Sequence, residues 1–167
     1  WMLADVYQFI GEGSQIKGWF ISDKIKLLLE DFNISNPYHF YLSKLFYKGK
    51  KLEYYIFQFA GKLIFQNTLL NIDYPNSIFW NPLKEENVFI KNEDDFLSEY
   101  KKIYKENGGI ENIMQNKILC MKEKFDFFPM STFMKDNIVS ERLKDAIEEK
   151  NIIGFEFSEL DYEVVVE

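Results

Sequence analysis

Histidine and cysteine are nearly missing from this sequence, with His39 and Cys120 the only examples. A Ser-His-Asp triad, a Cys-His pair or a two-histidine metal site would each have to lean on His39, which lies in a strand-like alternation and reads as a strand-face histidine. One cysteine excludes an internal disulfide and fits a reducing compartment. Cys120 sits in the apolar run Ile118-Leu119-Cys120-Met121, as buried structural cysteines do, and only Lys117 and Lys122 lie near it in sequence to lower its pKa. No apolar run approaches the roughly 18 residues that a membrane helix needs, and no basic-then-apolar leader opens the chain. Gly11-Glu12-Gly13-Ser14 lacks the spacing of a dinucleotide or phosphate-binding loop and reads as a turn. The carboxylate clusters Glu85-Glu86 and Glu93-Asp94-Asp95 read as helix-start partners rather than catalytic pairs. With no ligand spacing and no nucleophile–base pattern, the expectation is a protein that is not an enzyme and needs no cofactor or metal.

Arginine is just as scarce, since Arg142 is the only one among 20 basic residues. Together with abundant Ile and Asn, this lysine bias fits an AT-rich bacterial genome. Trp1 before Met2 marks either an expression scar or a start inside a longer protein.

Apolar residues are plentiful, at 47% of the chain with 17 Phe and 10 Tyr, so disorder is excluded. Its 167 residues suit one domain over 1–167 with a proper core. Most aromatics fall at alternating or helical apolar positions, which favours core packing over base or sugar stacking. The net charge is −7, and residues 141–167 carry nine acidic against three basic residues. That sign argues against nucleic acid, which attracts a basic stripe. It suits either ordinary solubility or a basic protein partner.

Two stretches 118 residues apart match. Ser22–Ile34 aligns with Ser140–Ile152, with five of thirteen pairs identical and five more alike. After the insertion Ser35-Asn36-Pro37, His39–Leu45 aligns with Gly154–Leu160. Each serine precedes an amphipathic run and suits a helix N-cap, with Asp23 or Glu141 in the first turn. Ile25, Leu28, Leu29 and Phe32 form one apolar face, as do Leu143, Ala146 and Ile147. Asn33 and Asn151 suit the left-handed residue that ends a helix, with Ile34 and Ile152 folding back. The match predicts a repeated helix–strand unit over about 22–45 and 140–160.

Elsewhere the pattern predicts short strands at 6–10 and 18–21, a helix over about 23–33, and a hairpin of strands 38–47 and 52–60 around Lys48-Gly49-Lys50-Lys51. Residues 61–82 read as irregular, and 87–90 as a strand. A helix over 93–107 is capped by Asn92, faces inward through Phe96, Tyr100, Ile103 and Tyr104, and ends at Gly108-Gly109. Ile110–Lys124 reads as a helix, with a strand at 118–121 as the alternative. The aromatic stretch 125–139 fits no pattern.

Three passages carry a family resemblance. They are Ile21–Leu29 leading into Tyr54-Tyr55-Ile56-Phe57, the turn Ile72–Ser77, and Ile138–Ile147 followed by Ile152–Phe157. In this order the chain resembles the bacterial immunity proteins of polymorphic toxin systems, in particular the group first catalogued as a domain of unknown function and later named after a myxobacterial immunity protein. The resemblance implies a cytoplasmic α+β protein that binds and neutralises one cognate toxin. It carries over no catalytic residues and no fixed contact surface. The fold expected is α+β, with helices on a mainly antiparallel sheet. The alternative function is a non-catalytic intracellular interaction module, as a homodimer or otherwise. Neither nucleic acid nor a membrane is expected as a partner.

The C-terminal segment supplies the candidate partner-binding residues Glu156, Glu159, Asp161 and Glu163. Leu160, Tyr162, Val164 and Val166 fall at even positions and Glu159, Asp161, Glu163 and Glu167 at odd ones, predicting a strand with one buried and one acidic face. Because Phe155 and Phe157 are odd, a bulge is expected near Ser158. The same acids would serve equally well to keep an edge strand from pairing.

Overall fold

The computed structural model describes residues 3–8, 18–60, 66–109, 114–130 and 137–166. The fold is α+β, and the chain divides into two units, each assembled from separated stretches. Unit 1 takes residues 1–64, 125–128 and 138–157; unit 2 takes 65–124, 129–137 and 158–167.

Unit 1 is built on a four-stranded antiparallel sheet of order β1-β2-β4-β3, comprising β1 (Val6–Gln8), β2 (Trp19–Ser22), β3 (Tyr38–Tyr47) and β4 (Lys50–Phe59). β3 and β4 pair without interruption from Tyr38↔Phe59 to Tyr47↔Lys50. Their link is tighter than the predicted four-residue loop. Lys48 (φ 47°) and Gly49 (φ 76°) alone make the turn, and two successive positive φ values match the right-handed twist of a hairpin. On the inner face, Phe57 lies within 5.1–5.8 Å, ring to ring, of Trp19, Tyr38, Phe40, Phe59 and Phe127. Helices α1 (Asp23–Leu29) and α4 (Glu141–Glu149) add Ile25, Leu28, Leu29, Leu143 and Ile147 to this core.

The two helices are entered alike. Ser22 is the last residue of β2, while Ser140 follows β9 (Asn137–Val139), which pairs with β8 (Phe127–Pro129). An aspartate holds each serine. Ser22 donates through its amide to the Asp5 carbonyl (2.7 Å) and through Oγ to Asp5 Oδ1 (2.8 Å). Ser140 donates in the same two ways to the carbonyl and Oδ1 of Asp126, each at 2.8 Å. Each aspartate also ties down the chain beyond the other helix. Asp5 Oδ2 accepts from the Ile153 amide (3.0 Å), and Asp126 Oδ2 accepts from the Asn33 amide (2.9 Å). The two caps differ in one respect: Ser140 Oγ also accepts from the Leu143 amide, whereas Ser22 Oγ accepts no such bond.

The predicted repeat therefore needs correcting on its downstream side. Residues 150–162 contain no strand, so the second copy has no counterpart of β3. The cause is local. Gly154 adopts φ +119°, and a Cβ there would lie 2.3 Å from the Val6 carbonyl oxygen, because the Asp5 and Val6 amides both donate to Ile153 O. The chain is bound crosswise to the start of β1 instead of joining a sheet, and the Phe155 and Phe157 rings stack at 5.7 Å. No bulge at Ser158 is involved. Helix α1 is also shorter than predicted, since the Asn33 amide and carbonyl are both engaged by Asp126 and Asn33 keeps a negative φ. Asn151 does take the left-handed conformation (φ 49°). Behind it, Asn151 N–H donates to Glu148 O and Ile152 N–H to Ile147 O, the paired bonds of a Schellman ending.

Unit 2 carries the sheet β10-β7-β5-β6, formed by β5 (Ile78–Asn81), β6 (Glu86–Val88), β7 (Gln115–Met121) and β10 (Glu163–Val166). All its pairings are antiparallel except β10–β7. β7 overturns the predicted helix over 110–124, of which 110–113 lie outside the described residues. From Ile118 to Met121 this inner strand is apolar on both faces, and a short run of that kind has no period that separates strand from helix. The stretch expected to be irregular holds β5 and the short helix α2 (Gln66–Leu70), and 125–139 holds β8 and β9. Helix α3 (Glu93–Glu106) matches its prediction closely. Asn92 Oδ1 accepts from the Asp95 amide, Asp95 Oδ2 accepts from the Lys91 amide, and Gly108 and Gly109 close the helix at positive φ. Phe96 and Ile103 are buried as expected, Tyr100 is half-buried and Tyr104 is exposed. Phe96 packs with Tyr74 and Phe79 at 5.6 and 5.2 Å. Among the described residues, no helix is long and apolar enough to cross a membrane.

Asp126 is the buried charge of unit 1, 2% exposed at the side chain and paired with Arg142. Burial alone would raise its carboxyl, but the hydrogen bonds from Arg142, Asn33 and Ser140 outweigh that and hold it below the ordinary range. Replacing Asp126 with Ala leaves the Asn33 amide and the Arg142 guanidinium without that acceptor, and should cost about 3–5 kcal/mol in chemical denaturation. Because the folded carboxyl titrates below the unfolded one, its stabilisation is complete above the unfolded value of about 4 and fades as pH falls through the folded value. Asp126→Asn should therefore flatten the acid limb of the stability–pH curve; an unchanged limb would show the pairing to be idle. Gly154→Ala should cost at least about 2 kcal/mol, since it meets both the positive φ and the Val6 carbonyl.

Candidate functional site

The four candidate acids are all exposed, but they do not belong to one unit. Glu156 lies in unit 1, in the irregular segment after α4, and its sequence neighbours Phe155 and Phe157 stack on each other. Glu159, Asp161 and Glu163 lie in unit 2, on the approach to β10 and at its first residue. β10 is an edge strand, pairing among the described residues only with β7, from Glu163↔Ile118 to Val166↔Met121. The predicted alternation holds at Tyr162, which is buried, and at Glu163, which is exposed. It fails beyond them. Val164 and Val165 are both half-buried, Val166 is exposed, and Leu160, expected on the buried face, is exposed. Strand geometry begins only at Glu163, so Leu160 is not subject to it. Glu167 lies outside the described residues.

The other residues weighed for chemistry are placed apart from one another. His39 is exposed on β3, its ring 5.8 Å from that of Tyr41. Cys120 is buried in unit 2, with Sγ 3.1 Å from the Asn76 carbonyl and its amide donating to Ser77 Oγ (3.0 Å). Those bonds belong to the Ile72–Ser77 turn that stood out in the sequence. Asp73 N–H donates to Cys120 O, Ser77 N–H and Oγ both donate to Asp73 O, and Asn76 Nδ2 donates to Asp73 Oδ2. The turn is thereby clamped to β7. Tyr74 OH donates to Leu69 O and its phenol is pushed far up by burial. In unit 1, Tyr54 OH donates to Ala4 O, and burial, followed by Tyr7 and Asp5, pushes it up to about 12. Neither phenol is poised for proton transfer near neutral pH. Among the described residues, no three His, Cys, Asp or Glu side chains are grouped to hold a metal ion.

The concave features are similarly plain. An open groove of about 600 Å³ is lined wholly by α3, with Asp94, Lys101, Lys102 and Glu106 mixing charge of both signs. A smaller one of about 150 Å³ lies between the Ile72–Pro75 turn and the start of α3.

The surface that sequence reasoning missed is on the hairpin of unit 1. Leu42 is 61% and Phe46 74% exposed on β3, with Tyr41 also exposed. Lys44 pairs with Glu53 across the strands, and Lys51 lies over the Phe46 ring. Alternation along β3 would have pointed to it. Tyr38 and Phe40 share a face with Leu42 and Phe46, but α1 is too short to cover the whole strand.

No family model, no curated protein and no solved structure matches this chain.

Buried Cys120 gives a direct check on the clamped turn. A thiol reagent should label it only through opening of unit 2, many orders more slowly than a free thiol. Ser77→Ala, which removes the Oγ acceptor of the Cys120 amide, should speed labelling at unchanged pH. Labelling of the native protein at the rate of an exposed thiol would contradict the burial.

Proposed function

We propose that this chain is a bacterial immunity protein that binds a cognate protein toxin in the cytoplasm and neutralises it without catalysis, cofactor or metal. The resemblance in the three sequence passages supports this reading. The observation that carries it is the solvent exposure of Glu159, Asp161 and Glu163 at the start of an edge strand, within an acid-rich C-terminal stretch. Acids so placed suit a basic protein surface, where charge mainly governs encounter and selectivity. Glu156 offers a further negative group on unit 1. The second reading, a non-catalytic interaction module of unrelated role, is favoured by the apolar side chains left exposed on β3.

Co-expression separates the two. The first observation to make is whether the gene immediately upstream encodes a large protein with a variable C-terminal toxin domain, which is then the domain to use. The immunity reading expects this chain to restore growth and to co-purify with that domain; failure of both rejects it. With the toxin in hand, Glu159→Lys/Asp161→Lys/Glu163→Lys should slow association by roughly 10- to 100-fold at low salt and far less at high salt, with the fold intact. Unchanged association at low ionic strength rejects this stretch as the steering surface. Glu156→Lys, measured separately, reports whether unit 1 takes part.

A further inference from the structure

We infer that β3 is a self-association strand, pairing antiparallel with β3 of a second copy to join two four-stranded sheets into one of eight. β3 is ten residues long and lies at the edge of its sheet, and among the described residues its only strand partner is β4. Edge strands are ordinarily blunted by brevity, proline, a bulge or charge. β3 shows none of these devices: Pro37 lies just outside it, the register is unbroken, and its single charged residue, Lys44, is engaged with Glu53. It instead presents Leu42 and Phe46 to solvent.

A second copy fits this edge because the strand is self-complementary in one register. Setting Leu42 opposite Leu42 of the second copy places Phe46 opposite Tyr38 and Lys44 opposite Phe40, all on one face. Apolar side chains then meet apolar ones, the lysine meets an aromatic ring, and no like charges face each other. Charge continues the match beyond the strand. Lys48, Lys50 and Lys51 have no acidic partner among the described residues, with Lys48 and Lys51 lying over the Tyr47 and Phe46 rings. In this register Lys48 falls opposite Asn36 of the other copy, a few residues along the chain from exposed Asp31 and from Glu30, which is paired with Lys26. The inference concerns an edge in unit 1 and stands or falls independently of the toxin reading.

Sedimentation velocity over a dilution series tests it, together with amide hydrogen exchange. The expected result is a dimer that dissociates on dilution, with every second amide of β3, those facing away from β4, protected only in the dimer. Leu42→Lys/Phe46→Lys should weaken association at least tenfold while near-ultraviolet circular dichroism stays native. Lys48→Glu/Lys50→Glu/Lys51→Glu should also weaken it, and mixing that variant with Glu30→Lys/Asp31→Lys should restore a mixed dimer. A chain that is monomeric at every concentration overturns the inference, as does a dimer that the β3 substitutions leave intact. If the double variant does not fold, exchange on the unmodified protein decides, and fast exchange of all outward β3 amides at high concentration is then the overturning result.

Discussion

One buried carboxylate organises the larger helical face of unit 1. Asp126 takes the chain leaving α1 through the Asn33 amide, the chain entering α4 through Ser140, and the guanidinium of Arg142. A lone carboxylate in that position would be costly, because burial removes its hydration. Four donors from three residues offset the cost and convert it into geometry. The cap of α4, the end of α1 and the start of β8 are all referred to one side chain. Arg142 is the only arginine in the chain, and it both pairs with Asp126 and lies over the Phe32 ring at 4.4 Å. A lysine would supply the charge but not the planar group that does both.

Asp5 plays the same part at the other end of the unit, holding Ser22 and Ile153. The difference is instructive. The Asp5 carboxylate has no cation on it among the described residues, and Ser22 Oγ donates to Asp5 without also accepting from the helix. Helix α1 runs seven residues and α4 nine. What the two serines share is the strand leading into them and the aspartate beneath them, so the likeness extends upstream of the aligned stretch rather than downstream.

That is also where reading from sequence alone reached its limit. Capping chemistry is local, and α3 with its Asn92 start and Gly108-Gly109 end was legible almost to the residue, as was the β3–β4 hairpin. An aspartate 14 or 17 residues before a serine carries no local signature, because the contact depends on where two strands bring the chain. β7 failed for a different reason: its inner stretch Ile118–Met121 is apolar on both faces, so nothing in that run marks a period of two. The candidate acids were legible as exposed groups. Their division between two units was not, because the boundary near residue 157 follows contacts with distant segments rather than any change in composition. The exposed β3 side chains escaped notice because alternation says which residues share a face, not how much of that face a short helix covers.

The bond between the Ile153 amide and Asp5 closes a span of 148 residues. During synthesis, the first 64 residues of unit 1 leave the ribosome long before α4 and the Ile153 tether exist. At roughly 5–20 residues per second, the aromatic face around Phe57 waits several seconds or more without its second helix. The nascent chain thus passes through a stage at which this aromatic surface lacks α4, and the unit is completed only once the chain has been made as far as Ile153.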